Sequence, residues 1–476
     1  MEETGELPSE QTGAEVPPVP HTTALPLPPP ARVVITPDAS TPQSSSPRGA
    51  WPGKLLLVGV AMALLGWLGF WGWNKTHRDV ILLIPAAAHA RVFLDDTMVP
   101  STGKMDGELA IYRASNHFIG KAELKVYFTQ LSDLTSREFV RYKLYQQTLY
   151  VEPKDSALRQ VVHPETLYTV KRIAEGSSPH ISADGRQVVY IRFLRKGAAG
   201  AFPRSLYIYD LTSGTEREVV LRDRSFYHWE WDRPILMDGG RHIYLSAYRS
   251  GKTYPFLIST ATGRVTRIPV AFRKDRVTFI PLPDRRGLIV ENRKYGLDGS
   301  LVERLPFESP FPHNIYAAGS SGLIYLKEAD GSGRRTSRLD CVYLDFATSR
   351  HLPLFKVFKG RLPFLSAAQG ARRVVITEYS GLSVEFFSQI QLWEAGQVVN
   401  LTNPFLDGDR AFADGTSFHQ TQACADSTGR VIVYDYESQI YLLRLHPGTT
   451  IADLVEANLP ERVLALNARK RTEISN

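Results

Sequence analysis

Six times along this chain a turn rich in small residues is followed by a run of β-branched and aromatic residues. That repetition constrains the fold more than any single motif. Ala183-Asp184-Gly185-Arg186 precedes Val188-Val189-Tyr190-Ile191, and Met237-Asp238-Gly239-Gly240 precedes Ile243-Tyr244-Leu245. Pro283-Asp284-Arg285-Arg286-Gly287 precedes Leu288-Ile289-Val290. Residues 318–322, 368–371 and 425–429 stand in the same way before 323–326, 374–376 and 431–434. Asp-Gly and Ser-Gly pairs allow the tight reversal, and the runs that follow suit buried strands. A second turn follows five of the six units, as in Asp210-Leu211-Thr212-Ser213-Gly214 and Ser259-Thr260-Ala261-Thr262-Gly263. The sixth unit carries Leu445-His446-Pro447-Gly448 there. The first-turn glycines at 185, 239, 287, 322, 370 and 429 are spaced by roughly the 40–50 residues of a four-stranded blade. The pattern predicts an all-β fold, a six-bladed β-propeller over 166–450.

Ring closure is predicted too. The sixth unit lacks an evident outer strand, whereas residues 168–173, just before the first unit, resemble the outer strands at 264–270 and 301–307. They are expected to pair into the sixth blade and remove its open edge. Ser178-Pro179-His180-Ile181-Ser182-Ala183-Asp184-Gly185, followed by Val188-Val189-Tyr190, resembles the repeat of TolB-like six-bladed propellers of the WD40-like class, with Ala183 in place of a proline. The second unit matches through Pro234 and Asp238-Gly239, and the others match in pattern. That resemblance implies a periplasmic module for protein–protein interaction.

The first 166 residues differ in character. Residues 1–54 are proline-rich, with Pro-Leu-Pro-Pro-Pro at 26–30, and are expected to be a disordered tail acting as a spacer. Residues 55–73, from Leu55 to Trp73, carry no charge and nearly span a bilayer's hydrocarbon core, with Trp67, Trp71 and Trp73 at one end. They are read as an uncleaved signal anchor. Arg48 and Lys54 before it balance Lys75 and Arg78 after it, so charge does not set the orientation. A short tail ahead of a large β domain favours a cytoplasmic N-terminus and extracytoplasmic domains, periplasmic in a bacterium. Gly59, Ala63 and Gly66 share a helical face that would let two such helices pair as a homodimer. In 79–163, Leu124, Val126 and Phe128 alternate with Glu123, Lys125 and Tyr127, the mark of a half-buried strand in a small β-sandwich. Val92-Phe93-Leu94-Asp95-Asp96 with Val99-Pro100-Ser101-Thr102 loosely resembles the opening of PEGA-type surface domains. Residues 451–476 are a C-terminal appendage, with a helical turn expected at 450–457.

Chemistry is sparse. There is no Gly-x-Ser-x-Gly elbow, His-Glu-x-x-His, P-loop or Cys-x-x-Cys, and no catalytic residue, cofactor or metal site is expected. The chain is basic, with 56 Lys and Arg against 49 Asp and Glu, but has no long basic run or nucleic-acid motif, so nucleic acid is not an expected partner. His180, His313 and His419 lie near predicted innermost strands at unequal heights, which suits ordinary strand residues better than a shared metal. Cys341 and Cys424 fall in blades 4 and 6, too far apart in the ring to bridge, and are expected to be buried free thiols. Tyr227, His228, Trp229, Glu230 and Trp231 form the one candidate interaction loop. Its aromatics either anchor a partner at the rim or wedge between blades. The expected function is a non-enzymatic, membrane-anchored binding subunit of a cell-envelope complex, with its protein partner unidentified. The alternatives are a lyase or hydrolase with its site at the channel, and a transmembrane sensor with an extracytoplasmic ligand-binding propeller.

Overall fold

The structure, a computed structural model, describes residues 52–131, 138–153, 157–193, 204–250, 252–270, 279–282, 287–290, 293–305, 315–317, 321–328, 338–358, 364–368, 370–380, 387–402, 423–436 and 438–457. The tail at 1–51, His313, His419 and residues 458–476 lie outside them. The chain divides into two compact units, 1–68 and 69–476. Helix α1, Pro52–Thr76, begins in the first, where Val60, Met62, Leu64, Leu65, Trp67 and Leu68 are exposed. Among the described residues no helix is long and apolar enough to cross a membrane.

In the second unit the last turn of α1 passes directly into the strand His77–Pro85. The His77 ring stacks on Trp73 at 3.7 Å and meets Phe118 edge-on at 5.2 Å. The Ile119 amide donates to the Thr76 carbonyl at 2.8 Å, fixing the exit of the helix. A four-stranded sheet follows, in the order Ser101–Asp106, Leu109–Phe118, His77–Pro85, Ala157–Val161. Its partner contains Thr97–Val99, Ala88–Leu94 and Gly120–Leu131, with Tyr145–Val151 and Phe139–Tyr142 both paired to the last. Val80, Leu82 and Ile84 from one sheet pack against Val92, Leu124, Val126 and Phe128 from the other. Each is almost fully buried, worth about 1.5–3 kcal/mol per side chain. Alternation along residues 122–128 delivers these residues to the inner face, as expected.

Six four-stranded units follow. In blade 1 the order runs outward from Ser177–Ile181 through Gln187–Phe193 and Arg204–Asp210 to Thr215–Val219. Blades 3, 4 and 5 repeat this meander from innermost strands Ile280–Pro281, Ile315–Ala317 and Phe364–Ala368. In blade 2 the innermost strand is split into Glu230–Trp231 and Ile235–Met237, because Pro234 lacks the amide hydrogen a continuous ladder would use. Every pair of successive blades has its own apolar cluster. Blades 1 and 2 join through Leu206, Ile208, Trp231 and Leu245, and blades 2 and 3 through Tyr244, Ile268 and Leu288. Ile289 with Leu344, Cys341 with Val374, and Leu392 with Leu443 serve the next three junctions. Ile181, Val188 and Tyr190 meet Cys424, Val433 and Leu442 between blades 1 and 6, so the packing returns to its starting point.

Blade 6 is completed as the sequence predicts. Its own strands are Cys424–Ala425, Val431–Tyr436 and Gln439–Leu445. The fourth, the clasp strand Thr166–Glu175, pairs antiparallel with Gln439–Leu445 through Val170 and Leu443. The other edge of the clasp is not free. It pairs with Phe139–Tyr142 of the sandwich, so blade 6 and one sandwich sheet are a single nine-stranded sheet. The boundary expected near 163–166 is therefore a shared strand rather than a linker. Helix 451–457 reinforces it. Thr450 and Asp453 cap each other's amides at 3.2 and 3.0 Å. Lys143 pairs with Asp453 at 2.9 Å, and buried Arg141 donates to the Ala457 carbonyl at the helix C-terminus, where positive charge is favoured.

Candidate functional site

At one place the innermost strands of four blades bring polar side chains together. In blade 1 a bulge between Ser177 and His180, with Ser178 at φ +53°, turns the strand and re-aims His180. Its Nδ1 accepts a hydrogen bond from the Leu236 amide of blade 2 at 3.2 Å. The neutral ring must then carry its proton on Nε2. In blade 2 the break in the innermost strand releases Arg233, which is buried. Its Nε donates to the Pro179 carbonyl at 3.0 Å, and its guanidinium carbon stands 4.6 Å from the Phe364 ring of blade 5. In blade 5, Ser366 Oγ accepts from the Ala425 amide at 3.0 Å and donates to Cys424 Sγ at 3.8 Å.

Cys424, on the innermost strand of blade 6, is where these groups converge. Burial alone pushes its thiol up. The His180 ring, the Arg233 charge and the Ile181 amide more than offset this and hold it down at about 6. Sγ itself donates to the Ala425 carbonyl at 3.8 Å. Cys341 is the internal contrast. It is also buried and free, but among Leu326, Leu339 and Ile376, and burial pushes its thiol up without opposition. Both cysteines are buried free thiols, as expected, in different surroundings. Among the described residues no group of three or more His, Cys, Asp and Glu side chains could hold a metal.

The aromatic loop sits at the joint of blades 1 and 2. Trp231 is buried, donates from Nε1 to the Phe226 carbonyl at 3.0 Å and lies in the shared cluster. Tyr227 and Trp229 are half-buried against the same cluster, and Tyr227 Oη accepts from the Leu221 amide at 3.0 Å. Glu230 is exposed, and His228 falls in the short 3₁₀ turn Arg224–His228. On α1, nothing lies within 4 Å of the space a side chain would take at Gly59 or Gly66, and Ala63 is exposed. A separate groove of about 470 Å³ lies where the clasp strand, the sandwich and blade 1 meet, lined in part by Val140, Thr169, Lys171, Tyr209 and Arg444.

Nothing in the sequence sets His180 apart from an ordinary strand residue or marks Cys424, Arg233 or Ser366 as neighbours. The one local signal was Pro234, which marks the strand break that frees Arg233.

No family model matches the chain, and no curated protein matches it. Solved structures do. A TolB from Agrobacterium tumefaciens is 11% identical, with 59% of this chain and 98% of that one covered and a TM-score of 0.35. The β-propeller domain of the trilobed protease from Pyrococcus furiosus, described as having an open velcro topology, is 10% identical over 79% of this chain and 98% of that one, with a TM-score of 0.33. The Swd1 propeller from Myceliophteria thermophila is 10% identical over 66% and 94%, with a TM-score of 0.34. The propeller assignment itself rests on the six sheets and the six apolar junctions.

Proposed function

We propose that this protein is a membrane-anchored, non-enzymatic binding subunit of a cell-envelope complex. In this reading α1 spans the membrane, the proline-rich tail is cytoplasmic, and the sandwich and propeller face the other side. The observation that supports it best is the nine-stranded sheet. A strand shared by sandwich and blade 6 leaves no hinge between them, and such a mount suits presentation of a fixed surface to a partner. The apolar run 55–73 and the exposed Trp71 and Trp73 at its end fit an anchor and its interfacial belt. The resemblance of residues 92–102 to PEGA-type domains fits a sandwich at a cell surface. Gly59, Ala63 and Gly66 would serve a homodimer of anchors. Tyr227, Trp229 and Glu230 remain the candidate contact loop.

Photocrosslinkers placed at Glu230 and Lys171 in native membranes test the reading. Reproducible adducts with the same protein are expected, and their absence at both positions contradicts a binding subunit. The protein is expected to stay in the membrane pellet at alkaline pH, and release there contradicts the anchor. Protease added to intact spheroplasts is expected to digest the propeller, and a protected propeller reverses the orientation.

The polar side chains of His180, Arg233 and Ser366 beside Cys424, at the innermost strands of neighbouring blades, favour one second reading, catalysis at the channel. Hydrolysis or elimination of a small substrate by the purified protein, lost in Cys424→Ser, would support it over the binding reading.

A further inference from the structure

Resting on the anchored reading of α1, we propose that the end of the sandwich beside α1 is a lipid-seated foot, with Phe118 and Tyr150 lying among the headgroups of the membrane. The last two turns of α1, from Gly69, belong to the same compact unit as the sandwich. α1 ends at Thr76 and the strand His77–Pro85 starts at the next residue, so no linker separates them. The junction is tied on three sides. The Ile119 amide donates to the Thr76 carbonyl at 2.8 Å, and the Arg78 guanidinium donates to the Pro153 carbonyl at 2.6 Å. The rings of Trp73, His77 and Phe118 run in contact from helix to sandwich, at 3.7 and 5.2 Å. Residues 118–121 and 150–153 are therefore held at the exit of the helix, with Gly120 paired to Val151 and Lys121 to Tyr150.

The side chains at this end are the wrong ones for open water. Phe118 is 61% exposed and Tyr150 is 67% exposed. Rings held that far out gain from an interface where one side is apolar and the other wet, the layer in which membrane aromatics collect. They continue onto the sandwich the belt that Trp71 and Trp73 begin on the helix. Lys121, directly opposite Tyr150 in the ladder, is exposed and makes no ion pair among the described residues, and its ammonium suits a lipid phosphate. Glu152 is exposed nearby, so burial of the rings rather than net charge carries the contact. The strand Gly120–Leu131 then runs away from the foot. At ~3.4 Å per residue its 12 residues cover about 40 Å. At its far end Leu131 pairs with Phe139, and Phe139 pairs with Val170 of the clasp. A foot fixed in the headgroups thereby sets the height at which the propeller stands above the bilayer.

The test uses the full-length protein reconstituted in vesicles of phosphatidylcholine and phosphatidylglycerol. A nitrobenzoxadiazole dye is attached, one site at a time, in Leu64→Cys, Phe118→Cys, Tyr150→Cys, Glu152→Cys and Lys171→Cys. The parent chain, whose two cysteines are buried, gives the labelling background. Glu152→Cys keeps both rings in place, so insertion there cannot be credited to a dye standing in for a ring. Lipids carrying a nitroxide on the headgroup are expected to quench the dye at 118, 150 and 152 at least about threefold more than at 171, with blue-shifted emission at 118 and 150. Lipids carrying it deep in the acyl chain should quench the dye at 64. Quenching at 64, with 118, 150 and 152 no more quenched than 171, overturns the foot and leaves the anchor standing. No quenching at 64 overturns both. Blue-shifted emission at 118 and 150 without nitroxide quenching shows the rings covered by protein instead of lipid, and overturns the foot as well.

Discussion

At the scale of single residues, the repeat conserves a hydrogen-bond task more than a side chain. In blade 1 Ser182 Oγ accepts from the Gln187 amide at 2.9 Å and the Arg186 amide at 3.2 Å, closing the Asp184-Gly185 turn. In blade 6 the equivalent place belongs to Asp426, whose Oδ1 accepts from Arg430 and Val431 at 3.0 and 3.2 Å. Thr428 therefore stands where Asp184 does, an offset that matching Asp with Asp in the sequence obscures. Gly263 shows how such turns also fit the next blade. It has φ +64°, and a side chain there would place Cβ 1.8 Å from the Val220 carbonyl oxygen of blade 1. Gly263→Ala is expected to cost ~2–4 kcal/mol in a urea melt, and a neutral effect would mean that the two blades do not meet at this turn. Cys424 adds a pH term. Its thiol titrates lower in the folded chain than in the unfolded one, so from pH 6 to ~8.5 the unfolded state binds the extra proton and stability rises with pH. The contribution is fully present above the unfolded value and lost as pH falls through the folded one. Cys424→Ser should flatten that slope relative to wild type, and an unchanged slope would show that the thiol is not ionised in the fold.

At the scale of elements, the clasp strand carries two jobs at once. Val170 is paired to Leu443 on one side and Phe139 on the other, and Tyr168 Oη reaches the Leu401 carbonyl of blade 5 at 3.0 Å. Val170→Pro removes a ladder donor from a strand with no free edge at that point, and should cost about 3 kcal/mol or more. A melt shifted by less than 1 °C would show that the ring holds without its clasp. The ring partner of this strand was legible in the sequence, because blade 6 lacked an outer strand and 168–173 had the composition of one. Its second partner was not legible. Phe139–Tyr142 reads as an ordinary strand of the sandwich, and nothing local in Phe-Val-Arg-Tyr says which edge it will present. The same limit hid the surroundings of Cys424. Ile181 and Cys424 lie at opposite ends of the repeat array and share one apolar cluster because the ring returns blade 6 to blade 1. By contrast, Trp231 as a wedge was one of two readings open in the sequence, and its burial between blades 1 and 2 follows from the size of side chain that blade junctions require.

At the scale of the whole molecule, residues 69–476 form one body in which the sandwich and the propeller share a sheet, a helix and a buried cluster. The proposed role follows from that mount, since a binding surface joined to its support by continuous hydrogen bonding cannot swing independently of it. Hydrogen exchange on the full-length protein in detergent tests this most directly. The amides of 168–172 are expected among the slowest in the molecule, exchanging together with those of 139–142 and 440–445. Early exchange of 168–172, with sandwich and propeller protected to different extents, would contradict a shared clasp and the rigid mount built on it.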